Sequence, residues 1–297
     1  MAAKLAATKK RPSKKRGILK IASLGVAGLI AGLLSGCSAS TESIALTDYS
    51  QVVGNWQITP SATTLPAFAG SLTVNGSQVS GTIHPLATNT IGGTITTPTI
   101  RIRTQTTCTP GTTSFPVTGS IDSNNKMTLT SSSFTGGTLT VTGTLPSSQN
   151  ALNNATLAIT DGSCATPSAQ AVIGKYDTIS GTYNGTIFSV SGTSLYVSTI
   201  FTQTTQPDGN GTYHLQGNST FGSIQPCLPT PPAVSDSAVT GSTLNATYTE
   251  TPTGGSPITV VVNATFTPDA SALTLNSYHI TGGYCDGDSG HGTLTRQ

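Results

Sequence analysis

Thr138-Leu139-Thr140-Val141-Thr142 alternates a polar with an apolar side chain at every step. Successive side chains leave opposite faces of a β-strand, so this stretch buries Leu139 and Val141 and leaves its threonines wet. The same period appears on either side of it, in Lys126-Met127-Thr128-Leu129-Thr130 and in Thr156-Leu157-Ala158-Ile159-Thr160. Further along, Ile258, Val260, Val262, Ala264 and Phe266 fall on one strand face. Asn-Gly, Gly-Gly and Asn-Asn turn signals bound such segments, which predicts antiparallel strands with one solvated face. Residues 49–168 offer about eight strands, near 51–58, 70–75, 77–84, 98–107, 114–121, 125–131, 137–145 and 154–160. Short, even spacing predicts a meander, closed as a barrel or folded as a sandwich. After residue 37 no amphipathic helix stands out, so the fold class expected is all-β.

Composition narrows the function classes. Of 297 residues only 8% are charged, where an average chain has about 25%. Thr, Ser, Asn and Gly take the place of charge, which favours turns and strands over long helices. A nucleic-acid partner is not expected, because no basic face is available to offset phosphate charge. The formal charge of +2 averages two unlike parts. Eight of the 13 basic residues lie in residues 1–20, and all 11 acids follow Cys37. Beyond Cys37, Arg101, Arg103, Lys126, Lys175 and Arg296 face those 11 acids, a side-chain balance of −6.

Internal repetition organises the body. Gln51-Val52-Val53-Gly54-Asn55-Trp56 matches Ala171-Val172-Ile173-Gly174-Lys175-Tyr176 at an offset of 120. Ser71-Leu72-Thr73-Val74 matches Ser194-Leu195-Tyr196-Val197, Cys108 matches Cys227, and Val117-Thr118-Gly119-Ser120 matches Val239-Thr240-Gly241-Ser242. Ile159-Thr160-Asp161-Gly162-Ser163-Cys164 matches Ile280-Thr281-Gly282-Gly283-Tyr284-Cys285. One order and nearly one offset across five matches predict a duplicated domain, at 49–168 and 171–297, joined through polar residues 166–170. Setting Cys37 aside, four cysteines allow three pairings. The repeat selects Cys108–Cys164 and Cys227–Cys285, one bridge per copy. No C-x-x-C spacing occurs, so zinc is not expected, and no cofactor or metal is expected elsewhere.

Residues 1–36 read as an export signal: a basic stretch, an apolar run from Ile21 to Leu34, then small residues. Leu34-Ser35-Gly36-Cys37 resembles the lipobox of bacterial lipoproteins. That resemblance implies cleavage before Cys37, lipidation of its sulfur and membrane attachment through several acyl chains, with 37–48 as a tether. Ser38, in place of Asp after the lipid site, implies the outer membrane in a didermic cell. Lys15-Arg16-Gly17-Ile18-Leu19-Lys20 also looks like a degenerate twin-arginine signal.

Gly54-Asn55-Trp56 resembles the Gly-x-Trp motif of lipocalins, whose Trp plugs the closed end of a ligand-holding barrel. It implies Trp56, with Tyr176 as its repeat counterpart, as ligand-binding candidates. Arg101 and Arg103 share a strand face and form a basic spot for an anion. Gly287-Asp288-Ser289-Gly290 resembles part of the chymotrypsin-like protease motif. It departs at His291, and only eight residues follow Ser289, too few for the remainder of that fold. Asp286, Asp288 and Ser289 offer two carboxylates and a hydroxyl, only a fragment of the six or more ligands a calcium loop supplies. The function expected is a lipid-anchored envelope protein acting as a non-catalytic binding or structural module. The alternatives are a carrier of a small apolar ligand and, more remotely, a secreted hydrolase.

Overall fold

The computed structural model describes residues 48–86, 108–146, 151–222, 227–253 and 255–297. After a 3-10 turn at Ser50–Val52 come β1 (Gly54–Pro60), β2 (Phe68–Asn75), β3 (Gln78–Pro85), β4 (Phe115–Ile121), β5 (Lys126–Ser131), β6 (Thr138–Thr144), β7 (Asn153–Thr160) and β8 (Thr166–Tyr176). They pair in chain order, and β8 closes on β1 to make a barrel. A second closed barrel follows: β9 (Gly181–Ser189), β10 (Ser194–Gln203), β11 (Leu215–Phe221), β12 (Ala233–Thr240), β13 (Thr243–Glu250), β14 (Ile258–Phe266), β15 (Ala272–Thr281) and β16 (Ser289–Arg296). The protein is therefore all-β, with two tandem eight-stranded up-and-down barrels.

The alternation that announced the fold governs its packing. Leu139 and Val141 are buried in the first core with Met127, Leu129, Leu157 and Ile159. Threonines on the outer face bond across strands, as Thr142 does to Thr156 at 2.9 Å. Such pairs stabilise a sheet from its wet side. An apolar inside and a hydroxyl-rich outside invert the pattern of a membrane-spanning barrel. Both disulfides, Cys108–Cys164 and Cys227–Cys285, are formed. Each ties the segment before the fourth strand of its barrel to the turn before the eighth. Enclosing 56 and 58 residues, each contributes about 4 kcal/mol on the chain-entropy account. Bridged cysteines fit an oxidising, exported compartment.

Two expectations need correction. Residues 166–170, read as a joint between domains, begin β8, so the first barrel runs to Tyr176 and the second starts at Gly181. This strand is hard to read because Ile173 is its one fully buried side chain. Its Pro167 sits next to the strand's first residue, where a missing N–H is tolerated. The strand expected at 98–107 lies outside the described residues. The first barrel's ladder is complete without it, since β3 pairs directly with β4. The offset of 120 at Gly54 and Gly174 is accordingly no repeat: it matches the first strand of a barrel to its last, and the two lie side by side with Asn55 opposite Tyr176. The other four matches fall on equivalent strands or turns of the two barrels.

The two barrels form one compact unit. One end of the second barrel packs on the outer wall of β1, β2 and β3. Asn55 Nδ2 donates to the Gly241 carbonyl at 2.8 Å, and Gly241 N–H donates back to Asn55 Oδ1 at 2.6 Å. Ser242 N–H donates to Gln57 Oε1 at 2.8 Å, and Ser114 Oγ to Asn210 Oδ1 at 2.9 Å. Gly241 has a φ of +55°, and a Cβ there would collide with Gln57 and Ala69. Glycine is what lets the β12–β13 turn meet the wall.

Candidate functional site

The two lumens differ in how they are filled. In the first, Phe68, Phe115 and Phe134 pack ring to ring, with Phe115 and Phe134 stacked at 4.5 Å. Trp56 joins them in the core, its Nε1 donating to the Val52 carbonyl at 2.7 Å. The void left among Trp56, Leu72, Leu129 and Val141 is about 10 Å³, hardly room for one water. In the second barrel a cavity of about 570 Å³ lies open. That is the size of a small-molecule site.

Three features of the sequence produce this cup. First, β9, β10, β14 and β15 are nine or ten residues long, while β1 to β7 are six to eight and only β8 reaches eleven, so part of the second wall rises further above its floor. Second, Thr199, Ser219 and Ala264 occupy lumen positions with little volume. Third, β11 and β12 share one ladder pair, Asn218↔Ala233, with Tyr213 just before β11 bridged to Val239. Ser237 Oγ substitutes there for the ladder, accepting from Leu215 N–H at 2.6 Å and donating to its carbonyl at 3.3 Å. A looser seam between two strands widens the barrel.

The floor is sealed at the end that faces the first barrel. Tyr183 is fully buried, and its hydroxyl donates to the Ala270 carbonyl at 2.7 Å. Phe201 lies against its ring at 5.9 Å. Burial holds the Tyr183 hydroxyl above its usual range, so it stays protonated. The walls are aliphatic: Val197, Leu244, Val260, Val262, Leu275 and Leu294. One polar group interrupts them. Tyr248 bonds to Thr199 and Ser219, and Ser219 Oγ donates to Thr199 Oγ1 at 3.0 Å. Burial pushes Tyr248 up and keeps it neutral.

The rim is polar. Ser189, Ser191, Thr193 and Ser194 come from the β9–β10 hairpin, and Asp286 and Asp288 from the β15–β16 turn. Asp288 Oδ1 accepts from Ser189 Oγ at 2.5 Å, and Oδ2 from the Tyr278 hydroxyl at 3.1 Å. Burial, then the neighbouring Asp288 charge, pushes Tyr278 up to about 12. The Cys227–Cys285 bridge lines the same mouth and fixes the turn that carries both aspartates.

The residues singled out from sequence fall elsewhere. Trp56 lies in the filled barrel. Tyr176 ends β8 and meets Phe266 edge-on at 5.5 Å, outside the cup lining. Arg101, Arg103 and Cys37 lie outside the described residues. Ser289 stands opposite His279 in the β15–β16 ladder, while Asp288 is engaged with Ser189 and Tyr278. The fragment resembling a protease motif thus supplies the rim carboxylate of a cup. His214 meets Asp208 at 3.4 Å, and His291, two residues beyond Ser289 in β16, packs against Phe188. Among the described residues no three of His, Cys, Asp and Glu are grouped to hold a metal. Sequence reading passed over the cup itself. Its only signal was the one-faced run Ile258 to Phe266, which is broken by the small Ala264. No protein-family model, curated protein or solved structure matches this chain.

Proposed function

We propose that this protein is a lipid-anchored, exported binding protein that holds a small apolar ligand in its second barrel, with the first barrel as a structural partner. The observation that carries the reading is the contrast between an apolar cup of about 570 Å³ and a lumen of about 10 Å³ in the same fold. An empty apolar cup forfeits the contacts that stabilise a filled core. A fold that already closes a packed barrel once has no need to leave the second hollow. The seam of Asn55, Gln57, Gly241 and Ser242 gives the first barrel its role, as a rigid base for the cup's floor. Attachment through Cys37 is supported by the lipobox Leu34-Ser35-Gly36-Cys37 and by the disulfides, which fit an exported protein.

Titration with N-phenylnaphthylamine, a neutral dye that brightens in apolar surroundings, tests the reading. One saturable site per chain is expected, lost when Val262 is replaced by Trp. Unsaturable binding, or binding that survives Val262→Trp, would refute it. Mass spectrometry of the mature N-terminus tests the anchor: a diacylglyceryl Cys37 is expected, and an unmodified one would reject it.

A further inference from the structure

The cup's polar groups are unevenly charged. Among the described residues, hydroxyls of Ser189, Ser191, Thr193 and Ser194 line the rim, and its acidic groups are the carboxylates of Asp286 and Asp288. No lysine or arginine among the described residues lines the cup. Among the described residues the basic side chains stand elsewhere: Lys126 and Lys175 in the first barrel, and Arg296 beside Gly181 at the floor end.

Asp288 is held for use. Ser189 and Tyr278 take one bond on each of its oxygens, which fixes the carboxylate at the mouth. An ionised carboxylate accepts about four bonds, so each oxygen keeps a free lone pair. A third acid stands at this end of the barrel, outside the residues that line the cup. Glu250 lies two residues beyond Tyr248, on the same inward face of β13, and is 3% exposed. Its Oε1 accepts from Thr230 N–H at 2.7 Å and Thr230 Oγ1 at 2.8 Å, while its Oε2 is buried without a partner.

Resting on the reading of the second barrel as a binding cup, we propose that its ligand is a cationic amphiphile, an apolar chain or ring system ending in an amine, with the ammonium at the Asp288 rim. The aliphatic walls take the apolar body. The protonated amine donates to Asp288 and to the serine hydroxyls around it. At hydrogen-bond distance opposite charges attract and like charges repel, and a bond between charged partners is stronger than a neutral one. A fatty acid of the same length would set its carboxylate against Asp288, with no base to answer it. An alcohol would donate one bond and bring no charge.

The experiment is competition for the N-phenylnaphthylamine site of the full-length protein by decylamine, decanol and decanoate at neutral pH. Decylamine is expected to displace the dye best, decanol less well, and decanoate at least about tenfold more weakly than decylamine, since a bond to a charged partner is worth roughly 1.5–3 kcal/mol. Asp288→Asn should bring decylamine down toward decanol and leave decanol unchanged. Decanoate equal to or better than decylamine would overturn the proposal, as would an amine preference untouched by Asp288→Asn. If the dye itself finds no saturable site, the binding-cup reading fails first and this proposal falls with it.

Discussion

Val141 and Val262 offer a matched pair of perturbations. Each faces the lumen from the sixth strand of its barrel, and both are buried, at 1% and 8% exposure. Replacing each by Phe adds the same atoms to two differently filled spaces. Around Val141 the void is about 10 Å³. A phenyl ring there must displace packed neighbours, which costs roughly 1–3 kcal/mol. Val262 borders about 570 Å³ of empty apolar volume. A ring there needs no rearrangement and buries more apolar surface than valine did, a gain of up to about 1 kcal/mol. The two variants should therefore differ by roughly 1–4 kcal/mol, with Val262→Phe at or above the parent. For a protein of this size that separates their melting temperatures by roughly 2–16 °C. Thermal unfolding followed by circular dichroism, with urea midpoints as a check, reads the difference. Equal destabilisation by both substitutions would mean that the second lumen is as full as the first, and the reasoning would fail.

Three further outcomes follow from the same geometry. Asn55→Ala strips the buried Gly241 N–H and carbonyl of their partner and should cost roughly 2–4 kcal/mol in urea unfolding, whereas Thr142→Ala on the outer wall should cost under about 1. Cys227→Ser with Cys285→Ser should lower stability by about 4 kcal/mol, and reductant should reproduce the loss in the parent. Burial holds the His84 imidazole below its ordinary 6.5, overriding Asn210 and Asp208, which raise it. The unfolded chain then takes up a proton at higher pH than the folded one. Stability contributed by neutral His84 is therefore full above pH 6.5 and is lost as pH falls through the lower folded value. Urea midpoints should show this slope, and His84→Gln should flatten it.

The strands carried by Thr-Leu-Thr-Val repeats were legible because one buried face leaves a period of two that no helix shares. β5, β6 and β7 fall within two residues of their expected places for that reason. The cysteine pairing was legible because duplication repeated the spacing. β8 was not, since a strand with one buried side chain and a polar start looks like a linker until the barrel it closes is seen. Trp56 misled in the other direction: a large ring at a strand start is as useful to a packed core as to a ligand site. The cup was out of reach for a different reason. Alternation tells which side chains point inward and says nothing of how completely they fill the space. That depends on volumes summed over eight strands, on the loose β11–β12 junction, and on Thr199, Ser219 and Ala264, which are far apart in the chain. Asp288 was noticed for its neighbours in sequence, but its role comes from Ser189 and Tyr278, which only the closed barrel brings to it.

The central claim, that the second barrel and not the first holds a ligand, is tested most directly by methyl NMR of the leucines and valines during titration with N-phenylnaphthylamine. Val197, Leu244, Val260, Val262 and Leu275 line the cup, and Leu72, Leu129, Leu139 and Val141 line the filled lumen. The cup predicts saturable shifts confined to the first set, with one midpoint and one ligand per chain. Shifts in the second set, or none in the first while the dye binds, would contradict it.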